Sequence, residues 1–219
     1  MREMNWIWRV GAPPVYAGLR VAFRLHVEGV ENVPLTGPAI LACNHISVLD
    51  GPLVAAIMGS ERHRAPHFLI ASEVFGLRWG WILRQARQIP IYRGTGDVNA
   101  LDAVVDAVRA GGVAGIFPEG RVSDDARAGT QRLRSGISRV AAPLGAPVIP
   151  MGIWGTQVPW PRDGFRAGSH RWRPRVAVVV ADPIPPPHAG ESGLSFRLRL
   201  RHAMAAPLLR ARAITGDPA

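Results

Sequence analysis

Apolar residues fall along this chain in two alternating rhythms: short uninterrupted runs, and longer stretches with a period near that of a helix. The runs at residues 39–43, 66–70, 89–92, 113–117, 147–153 and 175–181 read as buried strands. Between two of them Asp97 stands as an N-cap, and Val98, Leu101, Val104, Val105 and Val108 repeat at helical spacing until Gly111 and Gly112 stop the helix. Residues 130–144 and 194–212 also read as helices. Strands alternating with helices predict an α/β fold, a central mixed, mostly parallel sheet flanked by helices. The Pro-, Gly- and Arg-rich stretch 156–174 reads as a loop, and 183–187 closes the sheet region before a basic C-terminal helix.

The first 27 residues break the strand rhythm. Trp6, Ile7, Trp8, Val15, Tyr16, Leu19, Val21, Ala22 and Phe23 are mixed with Arg2, Arg9, Arg20 and Arg24. Tryptophan beside arginine suits a membrane interface, so residues 1–27 are expected to form an amphipathic helical membrane-contact segment before a domain at 28–219. Packing of that helix on the domain's own core is the rival reading. The segment is too interrupted for a secretory signal, and no stretch reaches the roughly 18 apolar residues of a spanning helix. A chain of 219 residues, 47% hydrophobic, can bury one good core. Its formal charge of +10 comes from 26 basic residues, all arginine, which reflects a compositional bias and also asks for an anionic partner. Nucleic acid, anionic lipid, a phosphorylated substrate and an acidic carrier protein all qualify. The single cysteine, Cys43, cannot form an internal disulfide.

Candidate chemistry begins with Asn44-His45-Ile46-Ser47-Val48-Leu49-Asp50, which sets an imidazole and a carboxylate five residues apart at a strand-to-helix junction. Histidine can take a proton from an alcohol while an aspartate on its other ring nitrogen fixes the tautomer. Alone, the pair also fits a structural histidine. Three further blocks follow in order: Gln88-Ile89-Pro90-Ile91-Tyr92-Arg93, Phe117-Pro118-Glu119-Gly120-Arg121 and Ala146-Pro147-Val148-Ile149-Pro150-Met151. Two of them put arginine or a carboxylate just past a strand, where open α/β sheets gather ligand contacts.

In these four ordered blocks the chain resembles the glycerolipid acyltransferases, specifically the bacterial 1-acylglycerol-3-phosphate (lysophosphatidic acid) acyltransferase type. The likeness extends over about residues 28–184. It implies that His45 is the general base and Asp50 its orienting acid, so that a lysophospholipid hydroxyl attacks the thioester of acyl-CoA or acyl carrier protein without a covalent acyl-enzyme. It further implies acceptor binding by Arg93, Glu119, Gly120 and Arg121, the guanidinium groups matching phosphate oxygens. The expected co-substrates are acyl-CoA or acyl carrier protein, with no cofactor and no metal. The expected partners are a lysophospholipid and an anionic membrane surface, not nucleic acid. Such an enzyme is expected at the cytoplasmic face of the cell membrane, peripheral or monotopic. Asn44 and Ser47 are expected to shape the turn, and Cys43 to be an apolar strand residue rather than a nucleophile.

Two departures from the family pattern bear on the acceptor. Ala71 stands where a basic residue is common, and the third block runs Phe117-Pro118-Glu119-Gly120-Arg121-Val122-Ser123 where the commoner form has threonine before the arginine. Phosphate contact then falls to Arg93, Arg121 and either Arg132 or Arg134. Other acceptors, a glycolipid such as a phosphoinositol mannoside or another lysolipid, stay open. A thioesterase and a basic nucleic-acid-binding domain are the remaining alternatives, and the second leaves the four blocks unexplained.

Overall fold

The structure is a computed structural model that describes residues 4–92, 94–161 and 172–217. A helix α1 (Trp6–Ala22) leads into strand β1 (Arg24–Glu28). Then come β2 (Ala39–Cys43), α2 (Asp50–Ile57), β3 (Pro66–Ala71), α3 (Gly80–Gln85) and β4 (Ile89–Ile91). The second half adds α4 (Val98–Arg109), β5 (Val113–Ile116), α5 (Gly136–Ala141), β6 (Val148–Trp154), β7 (Arg175–Val180) and α6 (Gly193–Thr215). The strands form one sheet in the order β1-β7-β6-β2-β5-β3-β4. All neighbours are parallel except β6 and β7.

The central strands β2, β5 and β6 are buried along their whole length, as expected of strands covered by helices on both faces. One face is filled by Leu53, Val54, Ile57 and Met58 of α2 and its continuation, with Tyr16 and Leu19 of α1 packed against them. The other is filled by Val104 and Val108 of α4, Ile137 and Val140 of α5, and Phe196, Leu200 and Met204 of α6. Helix α6 presses so closely on β6 that a Cβ on Gly152 would lie 2.3 Å from backbone atoms of Pro207 and Leu208. Pro150 is tolerated in this central strand because the antiparallel ladder to β7 begins only at Met151↔Val180.

The mixed, mostly parallel sheet agrees with the sequence reading, and the differences are local. The helical N-terminal segment stops at Ala22, and Arg24-Leu25-His26-Val27-Glu28 becomes the edge strand β1, pairing Arg24↔Arg175 through Glu28↔Val179. Within 130–144 only Gly136–Ala141 is α-helical. The residues before it are held off the helix because Leu133 is buried in the core and the Arg134 N–H donates to the Pro118 carbonyl at 2.8 Å. Helix α1 is pinned where Asn5 Nδ2 donates to the Gln85 carbonyl at 2.5 Å, Trp8 Nε1 donates to the Ala86 carbonyl at 3.2 Å, and the Tyr16 hydroxyl meets Glu61. Among the described residues no helix is long and apolar enough to cross a membrane.

Candidate active site

The first block lies at the carboxyl end of β2. Asn44, buried, ends the strand by imitating one: its Nδ2 donates to the Ile153 carbonyl at 3.0 Å and its Oδ1 accepts from the Ile153 N–H at 2.7 Å. The chain then turns, and Asp50 opens α2 with its side chain fully buried. Asp50 Oδ2 accepts from the N–H groups of Ile46 and Ser47, both at 2.8 Å, and lies 3.0 Å from His45 Nδ1. Asp50 Oδ1 accepts from the Thr156 hydroxyl at 2.7 Å. Facing an Asp50 oxygen that already accepts two backbone N–H groups, a neutral His45 imidazole places its proton on Nδ1, toward that acceptor, and offers Nε2 as the basic lone pair. The His45 side chain keeps 15% of its surface exposed.

The imidazole plane is fixed from the neighbouring strand. Phe117, just past β5, stacks on His45 with ring centroids 4.0 Å apart and planes 16° from parallel, and Phe68 of β3 backs it at 5.5 Å. After Phe117 the chain makes a tight turn in which the Gly120 N–H donates to the Phe117 carbonyl at 2.9 Å. Gly120 has φ 74°, which favours glycine, and a Cβ there would lie 2.5 Å from Arg134 Cδ. Arg134 passes under the turn, its Nε donating to the Glu119 carbonyl at 3.1 Å.

Glu119, 4% exposed, carries the site's second carboxyl, and among the described residues its Oε2 has no hydrogen-bond partner. Burial pushes this carboxyl up to about 7, with the Asp50 charge adding to the rise and the backbone N–H groups of Gln131 and His45 opposing it. Cys43 is inert by the same cause: burial pushes its thiol far above the ordinary range, and its sulfur lies 3.4 Å from Met151 Sδ. Among the described residues no group of three His, Cys, Asp or Glu side chains is placed to hold a metal ion.

His45, Asp50, Glu119 and Gly120 thus lie around one region at the strand ends. Arg121 turns outward, half exposed, 3.4 Å from Asp124. Arg93 lies outside the described residues. Ser47 shapes the turn as expected, accepting from the Leu49 N–H at 3.1 Å and donating to the Trp160 carbonyl at 2.5 Å. Sequence reasoning missed Thr156, which no motif marks, and the stacking role of Phe117, whose place beside the Pro-Glu-Gly turn was the available signal.

A family model described as Acyltransferase matches residues 24–154, from the first residue of β1 to the last of β6. The chain belongs to the acyltransferase family. Over 166 residues this acyltransferase is 27% identical to the chloroplastic 1-acyl-sn-glycerol-3-phosphate acyltransferase LPAT1 of Arabidopsis thaliana, covering 74% of this chain and 44% of that protein. Over 186 residues it is 32% identical to an uncharacterized protein of Mycobacterium leprae, covering 78% and 47%. The chain therefore spans less than half the length of these curated relatives. The crystal structure of the 1-acyl-sn-glycerophosphate acyltransferase PlsC from Thermotoga maritima aligns with a TM-score of 0.75 at 22% identity, over 97% of this chain and 84% of that one, so the two acyltransferase chains share a fold.

Proposed function

We propose that this acyltransferase moves a fatty acyl group from acyl-CoA or acyl carrier protein to the free hydroxyl of lysophosphatidic acid, giving phosphatidic acid. The observation that carries the reading is the buried Asp50 carboxylate holding His45 Nδ1 at 3.0 Å on a side chain that keeps 15% of its surface exposed. His45 Nε2 takes the hydroxyl proton as the acceptor oxygen attacks the thioester carbonyl. The tetrahedral adduct then collapses, its carbon–sulfur bond breaks, and the imidazolium returns the proton to the departing thiolate. Asp50 orients the ring and stabilises the imidazolium. Glu119 offers the acceptor its Oε2, which has no partner among the described residues, and Arg93 with Arg121 or Arg134 neutralises the phosphate. The relatives named as 1-acyl-sn-glycerol-3-phosphate acyltransferases favour this acceptor.

The enzyme works at a membrane surface, on the cytoplasmic face, since acceptor and product are bilayer lipids. Trp6, Val10, Val15 and Val21 of α1 are exposed, as are Leu77, Trp79 and Trp81 around the start of α3, and the Asn5 and Trp8 bonds to residues 85 and 86 hold the two groups side by side. Tryptophan rings with arginines between them suit an anionic bilayer interface.

The test offers purified protein a panel of lysophospholipids and glycolipids with acyl-CoA or acyl carrier protein, read by mass spectrometry. The expected product is phosphatidic acid, and His45→Ala is expected to slow its formation by at least about 100-fold, the lower end of general-base contributions. Near-normal transfer by His45→Ala would remove the proposed base. Exclusive acylation of a glycolipid would move the acceptor to that class.

A further inference from the structure

We infer that Thr156 is a positioning residue for acyl transfer, its hydroxyl setting the plane of the Asp50 carboxylate and through it the tautomer and aim of His45. The inference rests on the acyl-transfer reading of the His45–Asp50 pair. Asp50 has no exposed surface, so bulk solvent does not reach it. Three of its contacts, the N–H groups of Ile46 and Ser47 and His45 Nδ1, converge on Oδ2. They restrain the carboxylate from the side of its own turn only, and rotation about Cβ–Cγ is opposed more firmly when the other oxygen is held as well. The second fixed point is Oδ1, and among the described residues its partner is the Thr156 hydroxyl, at 2.7 Å. With both oxygens held, the Oδ2 lone pair meets the Nδ1–H from one direction, and imidazole orientation on this scale governs turnover: a misplacement of about 1 Å can cost on the order of 100-fold.

Thr156 is equipped for this role by its own surroundings. It is 1% exposed and lies two residues past β6. The chain is turned there by Gly155 at φ 97°, whose N–H donates to Gln157 Oε1 at 2.8 Å. A Cβ on Gly155 would lie 2.1 Å from the Arg175 carbonyl oxygen, so the turn that aims Thr156 has little latitude. Four residues on, the Trp160 carbonyl accepts from Ser47 Oγ at 2.5 Å. Residues 156–160 therefore clasp the turn 47–50 at two points, one at the general base's orienting acid. Loop anchoring alone would need only one of these bonds, and it would tolerate the loss of the buried hydroxyl without a change at His45.

Three variants, Thr156→Val, Thr156→Ala and Thr156→Ser, test this by steady-state kinetics and by the 15N shifts of the His45 imidazole at alkaline pH. The valine variant keeps the volume and loses the donor. Val and Ala are expected to lower kcat about tenfold or more with KM for both substrates within about twofold, as loss of an orienting contact predicts. The His45 Nδ1–H tautomer is expected to give way to a mixture in these two variants. Ser, which keeps the hydroxyl, is expected to hold kcat within about threefold and the wild-type tautomer. Equal defects in Val and Ser, or wild-type kcat and tautomer in Val and Ala, would overturn the assignment. The tautomer readout needs no substrate, so it decides the role of Thr156 even if the wild-type protein acylates none of the lipids offered, a result that would instead sink the acyl-transfer reading.

Discussion

Replacing Glu119 by glutamine is expected to stabilise the protein at alkaline pH and to leave it unchanged in mild acid. The Glu119 carboxyl is raised by burial to about 7 in the folded protein, against an ordinary 4.5. Between those two values the folded chain keeps a proton that the unfolded chain has lost, so stability is full below about pH 4.5 and drains away as pH rises through about 7. At about 1.36 kcal/mol per pH unit the gap amounts to about 3 kcal/mol. Glutamine fills the same space, carries no charge at any of these pH values, and so escapes the loss. For a domain of this size about 3 kcal/mol corresponds to about 6–12 °C in Tm. Thermal and urea unfolding at about pH 4, 7 and 9, followed by circular dichroism, should show the two proteins together at the acid end and Glu119→Gln ahead by about that margin at the alkaline end. Parallel stability curves across the range would refute the reasoning, because they would mean that Glu119 ionises alike in the folded and unfolded chain. Acyl transfer by the variant is expected to fall, the usual conflict between a strained site and stability.

Two other perturbations follow from local geometry. Gly120→Ala meets both a φ of 74° and Arg134 Cδ at 2.5 Å, so it should cost about 1–2 kcal/mol in urea unfolding and displace Glu119 enough to lower turnover. Trp79→Ala combined with Trp81→Ala removes two half-exposed rings, so flotation with anionic liposomes should weaken about tenfold or more while Tm stays within about 2 °C; unchanged flotation would take the membrane contact away from this segment.

Much of the fold was legible because the central strands carry their burial in their composition. Ala39–Cys43 and Val148–Trp154 are apolar without interruption, which is what a strand covered on both faces requires. Strand β1 was not read because Arg24, His26 and Glu28 alternate with Leu25 and Val27 next to an amphipathic helix, and charge on an edge strand hides the short apolar period. The 196–201 run of alternating apolar and arginine residues lies inside the helix expected over 194–212. In α6 it is Phe196, Leu200, Met204, Leu208 and Ala211 that form the buried stripe, while Leu198 stays exposed and Arg199 turns back to Glu191 at 2.8 Å. At the site, His45 and Asp50 were legible because they are five residues apart. Thr156 was not, since the bond that gives it meaning spans 106 positions.

What unites these long-range contacts is strand register. Ala42 pairs with Ile116 on one side of β2 and with Pro150 on the other. The residues that follow, His45 past β2, Phe117 past β5 and Ile153 with Thr156 at the end of β6, therefore arrive at one level by construction. Asn44 then locks that level with two hydrogen bonds to Ile153. A slip of one residue, about 3.3 Å, in either ladder would turn inward-facing side chains outward and carry Phe117 or Thr156 out of reach of His45 and Asp50. The continuous apolar burial of β2, β5 and β6 resists such a slip only weakly, because a two-sided apolar strand has no polar face to punish it. The polar ties at the strand ends supply the missing penalty: a slipped register leaves Asn44 buried without its Ile153 partners and Asp50 Oδ1 without Thr156, at about 1–3 kcal/mol for each unsatisfied group. The same side chains that build the acyl-transfer site therefore also specify the sheet on which it stands.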